Sequence, residues 1–118
     1  MELTRIFEFD SAHKLPWYQG KCSNLHGHTW SLEITVSGQI NKNGIVIDFV
    51  DLKKIVNENV VEKLDHSYLN DIIENPTAEN IIFWVGEQIK EKLELQNIKL
   101  SKIRLYETKN SYAEQDFR

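Results

Sequence analysis

The chain has 118 residues, fourteen basic against eighteen acidic, for a net charge of −4, which argues against a general nucleic-acid binder while leaving room for a local basic pocket that takes a phosphorylated small molecule. Its single cysteine excludes an internal disulfide, and no apolar run approaches the ~18 residues of a membrane span. Nothing reads as a signal peptide, so the expectation is one domain over residues 1–118 in the cytoplasm, where a thiol stays reduced.

The first predicted element is a strand from Leu3 to His13, with Leu3, Arg5, Phe7 and Phe9 on one face and Thr4, Ile6 and Glu8 on the other. Lys14 to Lys21 contains Pro16, Trp17, Tyr18 and Gly20, and reads as a loop. Thr29 to Ile40 is rich in β-branched and aromatic residues and predicts a second, long strand. Asn41-Lys42-Asn43-Gly44 is a turn signal, since Asn and Gly tolerate positive φ, and it predicts that Ile45-Val46-Ile47 runs back along the second strand.

From Asp48 to Leu64 the spacing becomes helical: Leu52, Ile55, Val56, Val60 and Leu64 share a stripe, with Asp48 or Asp51 as N-cap. Asp65-His66 closes that helix, and Ser67 to Asn75 reads as irregular. Pro76 opens a second helix with an apolar face of Ile81, Ile82, Val85, Ile89 and Leu93, flanked by Trp84. Ser101 to Thr108 alternates as a strand, and Ser111 to Arg118 predicts a last, weaker one. The order ββααββ predicts an α+β fold, an antiparallel sheet with two helices on one face.

The chemistry concentrates in Cys22-Ser23-Asn24-Leu25-His26-Gly27-His28, which holds the only cysteine and two of the four histidines. On a strand, residues two apart project from one face, so His26 and His28 make a pair of metal ligands, with His13 as a third. Three imidazoles and an open fourth position suit a catalytic metal site; Cys22 as fourth ligand would instead make a closed structural one. Otherwise Cys22 is a small buried residue, or a base whose thiol a nearby cation activates. Asp65-His66 reads either as a solvated helix end or as a general acid/base pair, and Glu107 as an exposed strand-end carboxylate or, sunk in a pocket, as the partner of a guanidine-like ligand edge.

Six segments in order carry a resemblance: Phe9-Asp10-Ser11-Ala12-His13, Cys22-x-x-x-His26-Gly27-His28, Ile47-Asp48-Phe49-x-x-Leu52-Lys53, Leu64-Asp65-His66-x-x-Leu69-Asn70, Glu74-Asn75-Pro76-Thr77-x-Glu79-Asn80 and Tyr106-Glu107-Thr108. Together they resemble the 6-pyruvoyl-tetrahydropterin synthase family, and the three residues between Cys22 and His26 are most similar to its 6-carboxy-tetrahydropterin synthase branch, in the queuosine and 7-deazapurine pathway. The resemblance implies a tunnelling fold assembled as homotrimers or stacked hexamers with interfacial active sites. It implies Zn2+ on His13, His26 and His28, Cys22 as the proton-moving thiolate, and Asp65 with His66 completing the relay. It further implies that Glu107, Thr77 and the backbone at Ala78 hold the pterin ring of 7,8-dihydroneopterin triphosphate. Ala78 departs from the serine or threonine of many relatives, and Lys14 and Lys21 are triphosphate candidates by position only. The alternatives are the pyruvoyl-forming reaction, side-chain cleavage in folate synthesis, or a non-catalytic zinc- and pterin-binding module.

Overall fold

Strand β1 (Glu2–His13) pairs antiparallel with β2 (His26–Ser37) over its whole length, from Glu2 opposite Ser37 to His13 opposite His26, in a computed structural model describing residues Met1–Arg118. Phe7, Phe9, Ser11 and His13 on β1, and Trp30, Leu32, Ile34 and Val36 on β2, are buried on one face of this ladder. The alternate positions Glu8, Asp10 and Thr29 are exposed on the other. The period of two thus decides which side chains meet the helices.

β4 (Lys99–Thr108) pairs with the free side of β2, and β5 (Ser111–Asp116) pairs with β4, both antiparallel. A two-residue strand missed in the sequence, β3 (Ser67–Tyr68), adds parallel to β1 at Ser11 and Ala12, giving the order β3-β1-β2-β4-β5. Because β1 and β4 occupy both sides of β2, no edge remains for Ile45–Ile47, and the expected return strand does not form. The turn itself does: Gly44 N–H donates to the Asn41 carbonyl at 2.9 Å, with Gly44 at φ 85°. Ile47 then tucks into the core, with Val46 packed against the same cluster.

Helix α1 (Phe49–Val56) starts at the N-cap Asp48, whose carboxylate accepts from Val50 N at 2.8 Å. A π-helical turn at Asn57–Val61 carries it into a last turn, α2 (Glu62–Leu64). Leu52, Val56, Val60 and Leu64 are all fully buried along this rod. Helix α3 (Ala78–Glu94) is capped by Thr77 rather than opened by Pro76, and lays Ile81, Ile82, Val85, Ile89 and Leu93 against the sheet, with Trp84 packed at the margin. Sheet and helices enclose 22 buried apolar residues in one cluster. No helix is long and apolar enough to cross a membrane.

Candidate metal centre

The antiparallel register places His13 directly across from His26, and His28 across from Ser11, so three imidazoles occupy one end of the buried face. Their ring centroids lie 4.6, 4.8 and 5.2 Å apart. Beneath them sits Trp30, fully buried and edge-on to both His13 and His28, its indole N–H donating to the Ser11 carbonyl at 3.3 Å. Trp30 repeats the two-residue spacing of His26 and His28, a signal for the floor of the site that was present in the strand pattern.

Backbone carbonyls set the tautomers. His13 Nδ1 donates to the Pro76 carbonyl at 2.8 Å, and His26 Nδ1 donates to the Asn24 carbonyl at 2.7 Å. A carbonyl only accepts, so the proton must sit on Nδ1, and in the neutral rings Nε2 carries a lone pair. The Nε2 atoms of His13, His26 and His28 are all buried and without a hydrogen-bond partner. Three such orphans are costly unless a cation satisfies them, and carbonyl-oriented imidazoles are how proteins present histidine to a metal. The His28 imidazole titrates below the ordinary histidine range, chiefly because burial penalises its charged form, against the opposing pull of Glu107.

Glu107 completes the group. Its Oε1 lies 3.3 Å from His13 Nε2 and 3.1 Å from His28 Nε2, and the four ligand atoms all lie within 4.8 Å of one another, so His13, His26, His28 and Glu107 could hold a metal ion. The ladder between β4 and β5 slips between Tyr106 and Thr108, leaving Glu107 at a bulge of the kind that re-aims side chains beside functional sites. Glu107 also lines a cleft of about 260 Å³ with Ala78, Glu79, Ser111, Tyr112 and Ala113. The carboxylate therefore stands between the histidines and an open cleft.

Of the other expected residues, Cys22 sits half-buried in a 3-10 turn at Lys21–Ser23, and its sulfur is not part of the four-atom ligand group. Its loop is tied down from both directions: Leu15 N–H donates to the Cys22 carbonyl at 2.8 Å, and Trp17 Nε1 donates to Asn75 Oδ1 at 2.8 Å. Lys14 and Lys21 are exposed on this loop. Thr77 spends its hydroxyl oxygen on capping α3, accepting from Asn80 N at 3.1 Å, whereas Ala78 lines the cleft.

Asp65 and His66 do form a pair, with His66 Nδ1 3.0 Å from Asp65 Oδ2, but within one chain they do not face the histidine triad. They gather with Asp10, whose side chain is exposed on the opposite face of β1 from His13, and roughly 10 Å along the strand at ~3.3 Å per residue. Asp10 N–H donates to Asp65 Oδ1 at 2.9 Å, and Thr29 Oγ1 donates to Asp10 Oδ1 at 2.5 Å. These supports lie far from Asp65 in sequence, and no local pattern announces them. The Asp65 carboxyl is held below the usual carboxylate range, first by the Asp10 N–H and then, against a desolvation penalty, by His66.

Comparison with known proteins bears on what such a site belongs to. A family model described as 6-pyruvoyl tetrahydropterin synthase matches residues 2–116. A dihydroneopterin monophosphate aldolase from Pyrococcus furiosus is 46% identical over 99 residues, covering 84% of this chain and 82% of the relative. A 6-carboxy-5,6,7,8-tetrahydropterin synthase from Haemophilus influenzae is 32% identical over 139 aligned positions, covering 96% of each. The solved structure of the Caenorhabditis elegans 6-pyruvoyl tetrahydropterin synthase superimposes with a TM-score of 0.88 at 24% identity, over 100% of this chain and 96% of that one, which bears out the tunnelling fold. The chain is a member of the 6-pyruvoyl tetrahydropterin synthase family of enzymes.

Proposed function

We propose that the chain is a zinc-dependent 6-carboxy-tetrahydropterin synthase, converting 7,8-dihydroneopterin triphosphate and water into 6-carboxy-tetrahydropterin, acetaldehyde and triphosphate, as a cytoplasmic step toward queuosine and other 7-deazapurines. The observation that carries the reading is the convergence of three buried, unpartnered Nε2 atoms beside a cleft that contains a carboxylate. His13, His26 and His28 are the residues that would hold zinc; bound there, it would supply a Lewis acid for the oxygens of the substrate side chain.

The chain's own groups do the rest. The cleft of about 260 Å³ beside the histidines receives the bicyclic ring. Glu107 accepts two hydrogen bonds from the amino-pyrimidine edge, much as a carboxylate accepts arginine. The unsatisfied N–H groups in the first turn of α3, around Ala78, add donors that need no side chain, which makes the alanine there tolerable. Cys22, outside the ligand group, moves protons on and off the side-chain carbons.

Asp65 and His66 serve the site of a neighbouring copy. Supporting this assembly, β3 covers only Ser11 and Ala12 of the outer edge of β1, and β5 has no partner on its far side. Such open edges invite a further strand, and three copies joined edge to edge would close a barrel.

A second reading, aldol cleavage of the pterin side chain, is favoured by the 46% identity to the Pyrococcus furiosus aldolase. Mass spectrometry of products separates the two. Incubation with dihydroneopterin triphosphate should yield a carboxypterin, acetaldehyde and triphosphate; a hydroxymethylpterin with a two-carbon aldehyde that keeps the substrate's own phosphate chain would establish the aldolase instead, and no turnover of either the triphosphate or the monophosphate would leave a binding module.

A further inference from the structure

The position of Glu107 relative to the histidines implies a second role for this carboxylate. Resting on the zinc reading above, we propose that Glu107 is the fourth metal ligand of the substrate-free site, and that a ring entering the cleft draws it off, opening the coordination position only when substrate is present. Glu107 is then a gate on the metal as well as a grip on the pterin.

Three observations support this. His13 and His28 both present Nε2 to one carboxylate oxygen of Glu107, at 3.3 and 3.1 Å, and the Pro76 carbonyl, by holding the His13 Nδ1 proton, turns an Nε2 lone pair toward it. Only a cation between them makes that arrangement favourable. A metal ion there would also satisfy the two Nε2 atoms, which are buried without a hydrogen-bond partner. These two separations are also close to the ~3.3–3.4 Å that bonds of ~2.0–2.1 Å would set between neighbouring ligand atoms, and all four ligand atoms lie within 4.8 Å of one another. Finally, Glu107 is the one member of the group that reaches both environments. His13 is 1% exposed, whereas the Glu107 side chain is 31% exposed and lines the cleft.

Its place at the slip in the β4–β5 ladder frees it from the regular pairing that holds Leu105 and Tyr106 against β5. A donor-rich ring edge in the cleft competes with the metal for the same oxygen atoms. The carboxylate cannot serve both fully, so ring binding and opening of the fourth position are coupled.

The test uses zinc, cobalt and bare pterin, a ring without the reactive side chain, on the full-length protein. Zinc affinity is measured by competition with a chromophoric chelator for wild type, Glu107→Ala, Glu107→Gln and His26→Ala, with circular dichroism of each metal-free variant confirming the fold. The expectation is that Glu107→Ala weakens zinc by at least the ~10–100-fold that an outer-shell partner is worth, and Glu107→Gln weakens it too. In the cobalt-loaded protein, pterin should change the visible spectrum of wild type and leave that of Glu107→Ala unchanged. Equal zinc affinity in wild type and Glu107→Ala would overturn the ligand assignment while leaving the zinc reading standing. Failure of wild type itself to bind zinc would overturn both, and an identical pterin response in the two cobalt proteins would show the ring coordinating directly, against a gate.

Discussion

If His13, His26 and His28 hold zinc in the folded chain, stability must follow free zinc with a slope that the chain's size sets. Above half-saturation each tenfold rise in free metal adds about 1.4 kcal/mol to the folded state. At about 2.1 cal/mol/K per residue, 118 residues unfold with an entropy of roughly 0.25 kcal/mol/K near the melting temperature. The midpoint should therefore climb by about 5–6 °C per decade of free zinc, and by about 11 °C at a hundred times the dissociation constant. These are upper values, since unfolded cysteine and histidine also bind metal. His26 is the residue to remove, because it is half-exposed and its loss opens no cavity under Trp30, whereas His13 is 1% exposed. The assay is thermal unfolding by circular dichroism in metal-buffered solutions. Wild type should show the slope and His26→Ala should be flat; a flat wild type, or the same slope in both, would refute the site.

Three further outcomes follow from the geometry. Cys22→Ala should retain zinc, since the sulfur is outside the ligand group, and lose turnover by about 10²–10⁴-fold, as expected for a proton-transfer residue; metal loss measured by emission spectrometry would instead make Cys22 a ligand. The Asp65 carboxyl titrates below its unfolded value near ~3.9, so its contribution is complete above that pH and disappears as pH falls through the folded pKa. The stability gap between wild type and Asp65→Asn, followed by urea titration, should accordingly be constant above about pH 5 and close in more acidic buffer. A methyl group added at Gly86 of α3 would lie 2.8 Å from the Phe117 ring, so Gly86→Ala should stabilise a Phe117→Ala background by about 1 kcal/mol through helix propensity and give less, or a loss, in wild type. Equal effects in both backgrounds would mean that the tail does not pack there.

Much of the architecture was legible along the chain because it rests on side chains in series. A period of two in β1 and β2 settles which residues face the helices, and the same period makes His26, His28 and Trp30 neighbours on one face. Stripes at three and four place Leu52, Val56, Val60 and Leu64 in the core, and Ile81, Val85 and Ile89 opposite the sheet. Periodicity names a face, however, and not a partner. Ile45–Ile47 has strand composition, but β2 already has neighbours on both sides, and only the strand order reveals that.

The site divides in the same way. The sequence by itself determined which residues can bind a metal or move a proton, since His13, Cys22, His26, His28, Asp65, His66 and Glu107 are chemically marked wherever they fall. Tertiary structure decided how they group. Register puts His13 across from His26; the carbonyls of Pro76 and Asn24, sixty-three and two residues from the imidazoles they orient, turn the lone pairs inward; and a slip in the β4–β5 ladder places Glu107 against them. It also sends Asp65 and His66 to the other side of β1. Carbonyls are common to every residue and register depends on long-range pairing, so neither leaves a mark in the local sequence, and both are needed before three histidines become one site.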